Sequence, residues 1–132
     1  MALIGANALA AGWGIAAWAR REPSVWFWYL LRAAQAAVVV EAGVGVVLLA
    51  QDRSAQSLHY LYGLAPLVVS LVTEAMRLGA AQRELEDVED VHALDQSEQA
   101  AVARRVILRE TGIMTVGTLL IVTLALRAVV SG

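Results

Sequence analysis

Four long apolar runs constrain this chain more than any other feature of it. They extend from about Ala2 to Ala19, Val25 to Ala50, Leu58 to Ala80 and Thr111 to Val130. A helix needs ~20 mostly apolar residues, at 1.5 Å each, to cross a hydrocarbon core of ~30 Å. The runs are too long, and too rich in Ala and Leu, to be strands. The expected fold is all-α: a polytopic membrane bundle of four helices, one transmembrane domain over residues 1–132. Composition agrees, with 59% hydrophobic residues, 17% charged and a mean hydropathy of +0.63. A soluble domain of this size has too much surface for its volume to hide so much apolar material.

The first run is uncharged through Trp18 and is followed by Arg20 and Arg21. A signal peptide carries its basic residues before the apolar stretch, so the expectation is a retained helix. Arginine placement sets the expected orientation, because basic residues collect on the cytoplasmic side. Arg20 and Arg21 lie between runs one and two, and Arg32 sits low in run two. Arg77, Arg83, Arg104, Arg105 and Arg109 flank or fill the connection between runs three and four. Only Arg53 and Arg127 fall on the other side. This predicts a plasma-membrane protein with both termini extracytoplasmic. Trp18, Trp26, Trp28 and Tyr29 then line the inner interface, and Tyr60 and Tyr62 the outer one.

The connection over 81–108 is acidic, holding Glu84, Glu86, Asp87, Glu89, Asp90, Asp95 and Glu98. Leu85, Val88 and His92 keep helical spacing, and Ser97 is a plausible N-cap for a new helix. Helices three and four are expected to continue into the cytoplasm as an acidic hairpin turning near His92–Gln96. That register brings Arg77 level with Glu110, and Glu84 level with Arg104. The hairpin could dock a basic protein, while Arg104, Arg105 and Arg109 reach lipid head groups.

Several chemistries are excluded or unsupported. The chain has no Cys, which removes disulfides, thiolate catalysis and Cys-ligated metals. A net charge of −2, without a basic stripe, argues against nucleic acid. No phosphate-binding loop, zinc-protease or nucleophile-elbow motif is present. The acidic cluster lacks calcium-loop spacing. The sequence therefore predicts no enzyme, no metal and no cofactor.

The polar residues inside the runs are the site candidates. Glu41 lies in run two among Val38, Val39, Val40 and Ala42, and a carboxylate in lipid costs several kcal/mol unless paired, hydrated or protonated. Ala34, Ala37, Glu41 and Gly45 share one helix face, and small residues at that spacing admit close helix contact. Glu41 is therefore expected to face the bundle interior or a subunit contact. Asn7 occupies a similar face of run one and is a fair hydrogen-bond partner for it. Together they form either a candidate proton or cation site or a structural hydrogen bond that fixes helix register.

Run three carries a polar stripe of His59, Gly63, Pro66, Ser70, Glu74 and Arg77, in which Glu74 and Arg77 can pair. Arg32 comes within reach of Glu74. The stripe is either a polar path toward Glu41 or a set of ion pairs and small residues holding helices together. His59 is expected at the outer interface as a hydrogen-bonding residue. Haem bound by two histidines of one chain is excluded, since His92 falls on the opposite side, and a quinone or a haem shared by two copies is the weakest reading.

Two functions follow. The first is a small structural or accessory membrane subunit, or a self-associating scaffold. The alternative is a proton- or cation-coupled transporter working as a homo-oligomer, with Glu41 as its protonatable group.

Overall fold

A computed structural model describes residues 2–51, 57–86, 88 and 91–131, with side chains for all of these except 49, 57–63 and 131. Four α-helices follow one another: α1 (Ala2–Arg20), α2 (Val25–Ala50), α3 (Ser57–Glu86) and α4 (Gln96–Ser131). A single 3-10 turn, Val91–Ala93, precedes α4. All four helices are long and apolar enough to cross a membrane. At 1.5 Å per residue they measure about 28, 39, 45 and 54 Å, so α2, α3 and α4 outrun a hydrocarbon core of ~30 Å, α3 and α4 the most. Pro66 lies inside α3 without ending it. His59, Tyr60, Tyr62 and Gly63 have side-chain positions outside the described residues.

The helices form a bundle in which α4 lies along both α1 and α3 while α2 packs mainly on α1. The seams close where side chains vanish. A Cβ on Gly14 of α1 would overlap Thr115 Oγ1 and stand 2.7 Å from Phe27 Cε2. One on Gly117 of α4 would stand 2.6 Å from Thr73 Cγ2. Those two glycines let α1 meet α2 and α4, and α4 meet α3, at near-backbone distance. Around Gly14 the core is Phe27, Leu31 and Met114. Farther along, Leu3, Val38 and Ile121 make a second apolar cluster, with Leu67 against it.

The connection from α1 to α2 is a Schellman turn. Glu22 N donates to Ala17 O at 3.0 Å and Arg21 N to Trp18 O at 3.1 Å. Arg21 occupies the left-handed position, φ 53°, where glycine is usual. An L-residue there costs roughly 1–2 kcal/mol. Arg104 of α4 donates to the Arg21 carbonyl at 2.7 Å and ties this turn to α4.

The α4 N-terminus differs from the expectation. Asp95, not Ser97, is the N-cap: its Oδ1 accepts from Glu98 N at 2.9 Å, and Glu98 Oε2 accepts from Asp95 N at 3.2 Å. This reciprocal pair is a capping box with Asp in the Ser/Thr position. Ser97 donates its hydroxyl to Asp95 Oδ1 instead. A carboxylate outcompetes a hydroxyl for the free N–H groups of a first turn because it also meets the positive end of the helix dipole.

Candidate functional site: a charged layer between helices

Four charged residues of the spans, Arg32, Glu74, Arg77 and Glu110, gather into one layer joining α2, α3 and α4. Glu74 is its hub. Arg32 Nη1 donates to Glu74 Oε1 at 2.9 Å, and Gln35 Nε2 donates to the same oxygen at 2.7 Å. Arg77 Nε donates to Glu74 Oε2 at 2.7 Å. Arg77 Nη1 reaches across to Glu110 Oε1 of α4 at 3.4 Å. The Arg77 guanidinium also lies 5.6 Å from the centre of the Trp28 ring, a cation–π arrangement. Arg32 closes the circuit by donating to Gln35 Oε1 at 2.7 Å.

Two guanidinium groups and two carboxylates make the layer formally neutral. The side chains of Glu110, Arg77 and Glu74 are only 13%, 19% and 24% exposed, whereas Arg32 is 58% exposed and caps the layer from outside. Inside a low-dielectric medium, mutual pairing is what makes such charges tolerable, and removing one partner leaves an uncompensated charge. The layer is chemically a clasp: it holds α2 against α3, and α3 against α4.

A second ion cluster lies farther along α3 and α4. Arg109 donates to Glu84 Oε1, and Arg105 Nε stands 3.9 Å from Glu84 Oε2. The expected pairing of Arg77 with Glu110 is therefore present, as are Arg32–Glu74 and Arg77–Glu74. Glu84 meets Arg105 and Arg109 in place of Arg104, which is taken by the Arg21 carbonyl.

Of the rest of the polar stripe, Pro66 is buried, and His59 and Gly63 lie outside the residues whose side chains are described. Ser70 is half-buried and its carbonyl accepts from Thr73 Oγ1 at 3.0 Å. Thr111, Thr115 and Thr118 are buried, but each returns its hydroxyl to a carbonyl of its own helix at 2.7–2.8 Å. The Leu3, Val38, Ile121 and Leu67 cluster then stands between the charged layer and the level of Glu41.

Glu41 itself is exposed on the single chain, so of its two expected positions, the bundle interior and a subunit contact, it does not take the first. The helix wheel placed it on one face with Ala34, Ala37 and Gly45, of which Ala34 is buried and the other two half-buried. What changes is the length of the wall. Leu3 packs with Val38, so the α1 described here flanks α2 only up to about that level. The twelve residues of α2 from Val39 to Ala50, about 18 Å of helix, run past it, and most of their side chains are exposed. The same antiparallel register sets Asn7 opposite Ala34, roughly 10 Å along the axis from Glu41. Asn7 is buried and donates to the Leu3 carbonyl of its own helix at 2.9 Å. The structure thus brings Arg32, Glu74 and Arg77 together, and leaves Asn7 and Glu41 apart.

Gln35 and Trp28 complete the layer and were not grouped with it from sequence. Gln35 carried a usable signal, since it lies three residues from Arg32 on the same helix face. Comparisons with protein-family models, with curated proteins and with solved structures found no match for this chain.

Proposed function

We propose that this chain is a small structural or accessory subunit of the plasma membrane, which self-associates or docks on a larger membrane complex. The charged layer carries the reading. Its two arginines and two glutamates neutralise one another across three helices, so the described interior of one chain spends its charge on cohesion. The arginine bias supports a cytoplasmic α3–α4 extension and extracytoplasmic termini. On that side the acidic residues of 81–98 offer a surface for a basic partner protein, and membrane lipids are the remaining contacts. No catalytic role, nucleic acid or cofactor enters this reading.

The transporter alternative keeps one supporting observation. Glu41 is exposed on the stretch of α2 that outruns α1, where a second copy could enclose it. A homo-oligomer is then required, with Glu41 alternating between protonated and charged forms.

Affinity purification of the full chain in mild detergent, followed by native mass spectrometry, tests the first reading. A stable homo-oligomer or a reproducible larger membrane assembly is expected. A lone monomer under these conditions contradicts it.

A further inference from the structure

The arginines near the shared end of α1, α3 and α4 divide into two kinds. Arg32, Arg77, Arg105 and Arg109 each stand within 4 Å of a glutamate. Arg20, Arg21, Arg83 and Arg104 are exposed, and none has a carboxylate at salt-bridge distance among the described residues. Three of these, Arg20, Arg21 and Arg104, meet at the end of α1. Arg20 and Arg21 are consecutive at the end of α1, and the Arg104 guanidinium is fixed on the Arg21 carbonyl at 2.7 Å. That bond uses one N–H of Arg104 and leaves the rest of its fork open.

Two further features mark the place. Arg21 holds a left-handed backbone, φ 53°, where glycine is the usual residue, so the turn itself has no use for its side chain. One turn earlier, Trp18 is exposed yet seated on Gly112 of α4, whose Cβ would lie 3.2 Å from the indole Nε1. An amphipathic indole beside a basic cluster at the mouth of a helix–helix seam suits the headgroup and glycerol level of a bilayer. Glu22 follows the cluster directly in sequence and, like the other acids among the described residues, stands at no salt-bridge distance from these three arginines.

We propose that Arg20, Arg21 and Arg104, with Trp18 beneath them, bind the phosphodiester headgroup of an anionic membrane lipid at the α1–α4 seam. The proposal rests on the membrane reading and goes beyond it by assigning a defined site. Of the three arginines expected at lipid head groups it keeps Arg104, and it sets Arg20 and Arg21 in place of Arg105 and Arg109, which Glu84 engages.

The test uses the full chain in neutral detergent micelles, titrated with phosphatidylglycerol or phosphatidylcholine and read by native mass spectrometry. The variants are Arg104→Gln, Arg21→Gly and, as a control of similar charge change away from the seam, Arg83→Gln. Arg21→Gly preserves the turn, so it reports on charge without loss of fold. Phosphatidylglycerol is expected to bind at least about fivefold tighter than phosphatidylcholine, with about fivefold lost in each of the two seam variants and less than about twofold in Arg83→Gln. Equal binding of the two lipids, or an equal loss in Arg83→Gln, overturns the proposal. Displacement of the lipid by millimolar inorganic phosphate also overturns it, in favour of a free-phosphate site. Recovery of the chain without detergent refutes the membrane reading itself, an outcome distinct from loss of lipid preference.

Discussion

Replacing Gly14 by alanine tests the packing of the bundle most sharply, because a neighbouring glycine supplies the control. Gly12 has no atom within 4 Å of the place its Cβ would take. In Gly12→Ala only the helix propensity changes, for a gain of up to ~1 kcal/mol. The same gain is available at Gly14, but there the methyl group meets Thr115 Oγ1 and the Phe27 ring. Neither neighbour can swing into free space, since Phe27 is 0% and Thr115 2% exposed. Overpacking of a closed core costs ~1–3 kcal/mol and the propensity gain is common to both variants, so Gly14→Ala should be less stable than Gly12→Ala by about 1–3 kcal/mol. Thr115→Ala removes the worst overlap, and its hydroxyl bonds only within α4, so Gly14→Ala/Thr115→Ala should recover ~1 kcal/mol in a double-mutant cycle. The assay is reversible unfolding in mixed micelles followed by circular dichroism. Equal stability of the Gly12 and Gly14 variants would refute the proposed seam.

Other perturbations address other levels of the structure. Glu74→Leu strips the hub and leaves Arg32, Gln35 and Arg77 without their shared acceptor; a loss of about 3–5 kcal/mol is expected in the same unfolding assay, against little change for the exposed Glu86→Gln. Arg21→Gly relieves the left-handed backbone and should raise stability by ~0.5–1 kcal/mol, measured as a higher unfolding midpoint. Asp95 gives a pH dependence: the Glu98 N–H, followed by the Ser97 hydroxyl, holds its carboxyl below the ordinary value of 3.8. A depressed folded-state pKa contributes stability that is complete above the unfolded value and is lost as pH falls through the folded one. The difference in helicity between the native chain and Asp95→Asn should therefore persist down to about pH 4 and vanish below the folded pKa; a constant difference at every pH would contradict the cap.

Sequence reasoning reached the helices and much of the charged layer because both follow short-range rules. Apolar length marked the spans. The i,i+3 spacing of Glu74 and Arg77 made their pairing local, and the turn near His92 set the register that brings Arg77 to Glu110. Glu41 shows where such rules end. Its angle on α2 was legible from Ala34, Ala37 and Gly45, but exposure also depends on how far the neighbouring helix reaches, and that is a property of the α1–α2 register. The N-cap went to Asp95 because hydroxyl and carboxylate compete for the same N–H groups, and the winner depends on where the preceding 3-10 turn stops. The left-handed Arg21 carries no sequence signal, since the turn chemistry there would ordinarily ask for glycine.

The central claim is that charge inside this bundle holds helices together and does not conduct. Proton flux into liposomes containing the purified chain, under an imposed pH gradient verified with an ionophore, tests it directly. The account predicts flux equal to that of protein-free liposomes, in the native chain and in Glu41→Gln alike. Flux well above that level, abolished by Glu41→Gln, would contradict it and establish the transporter.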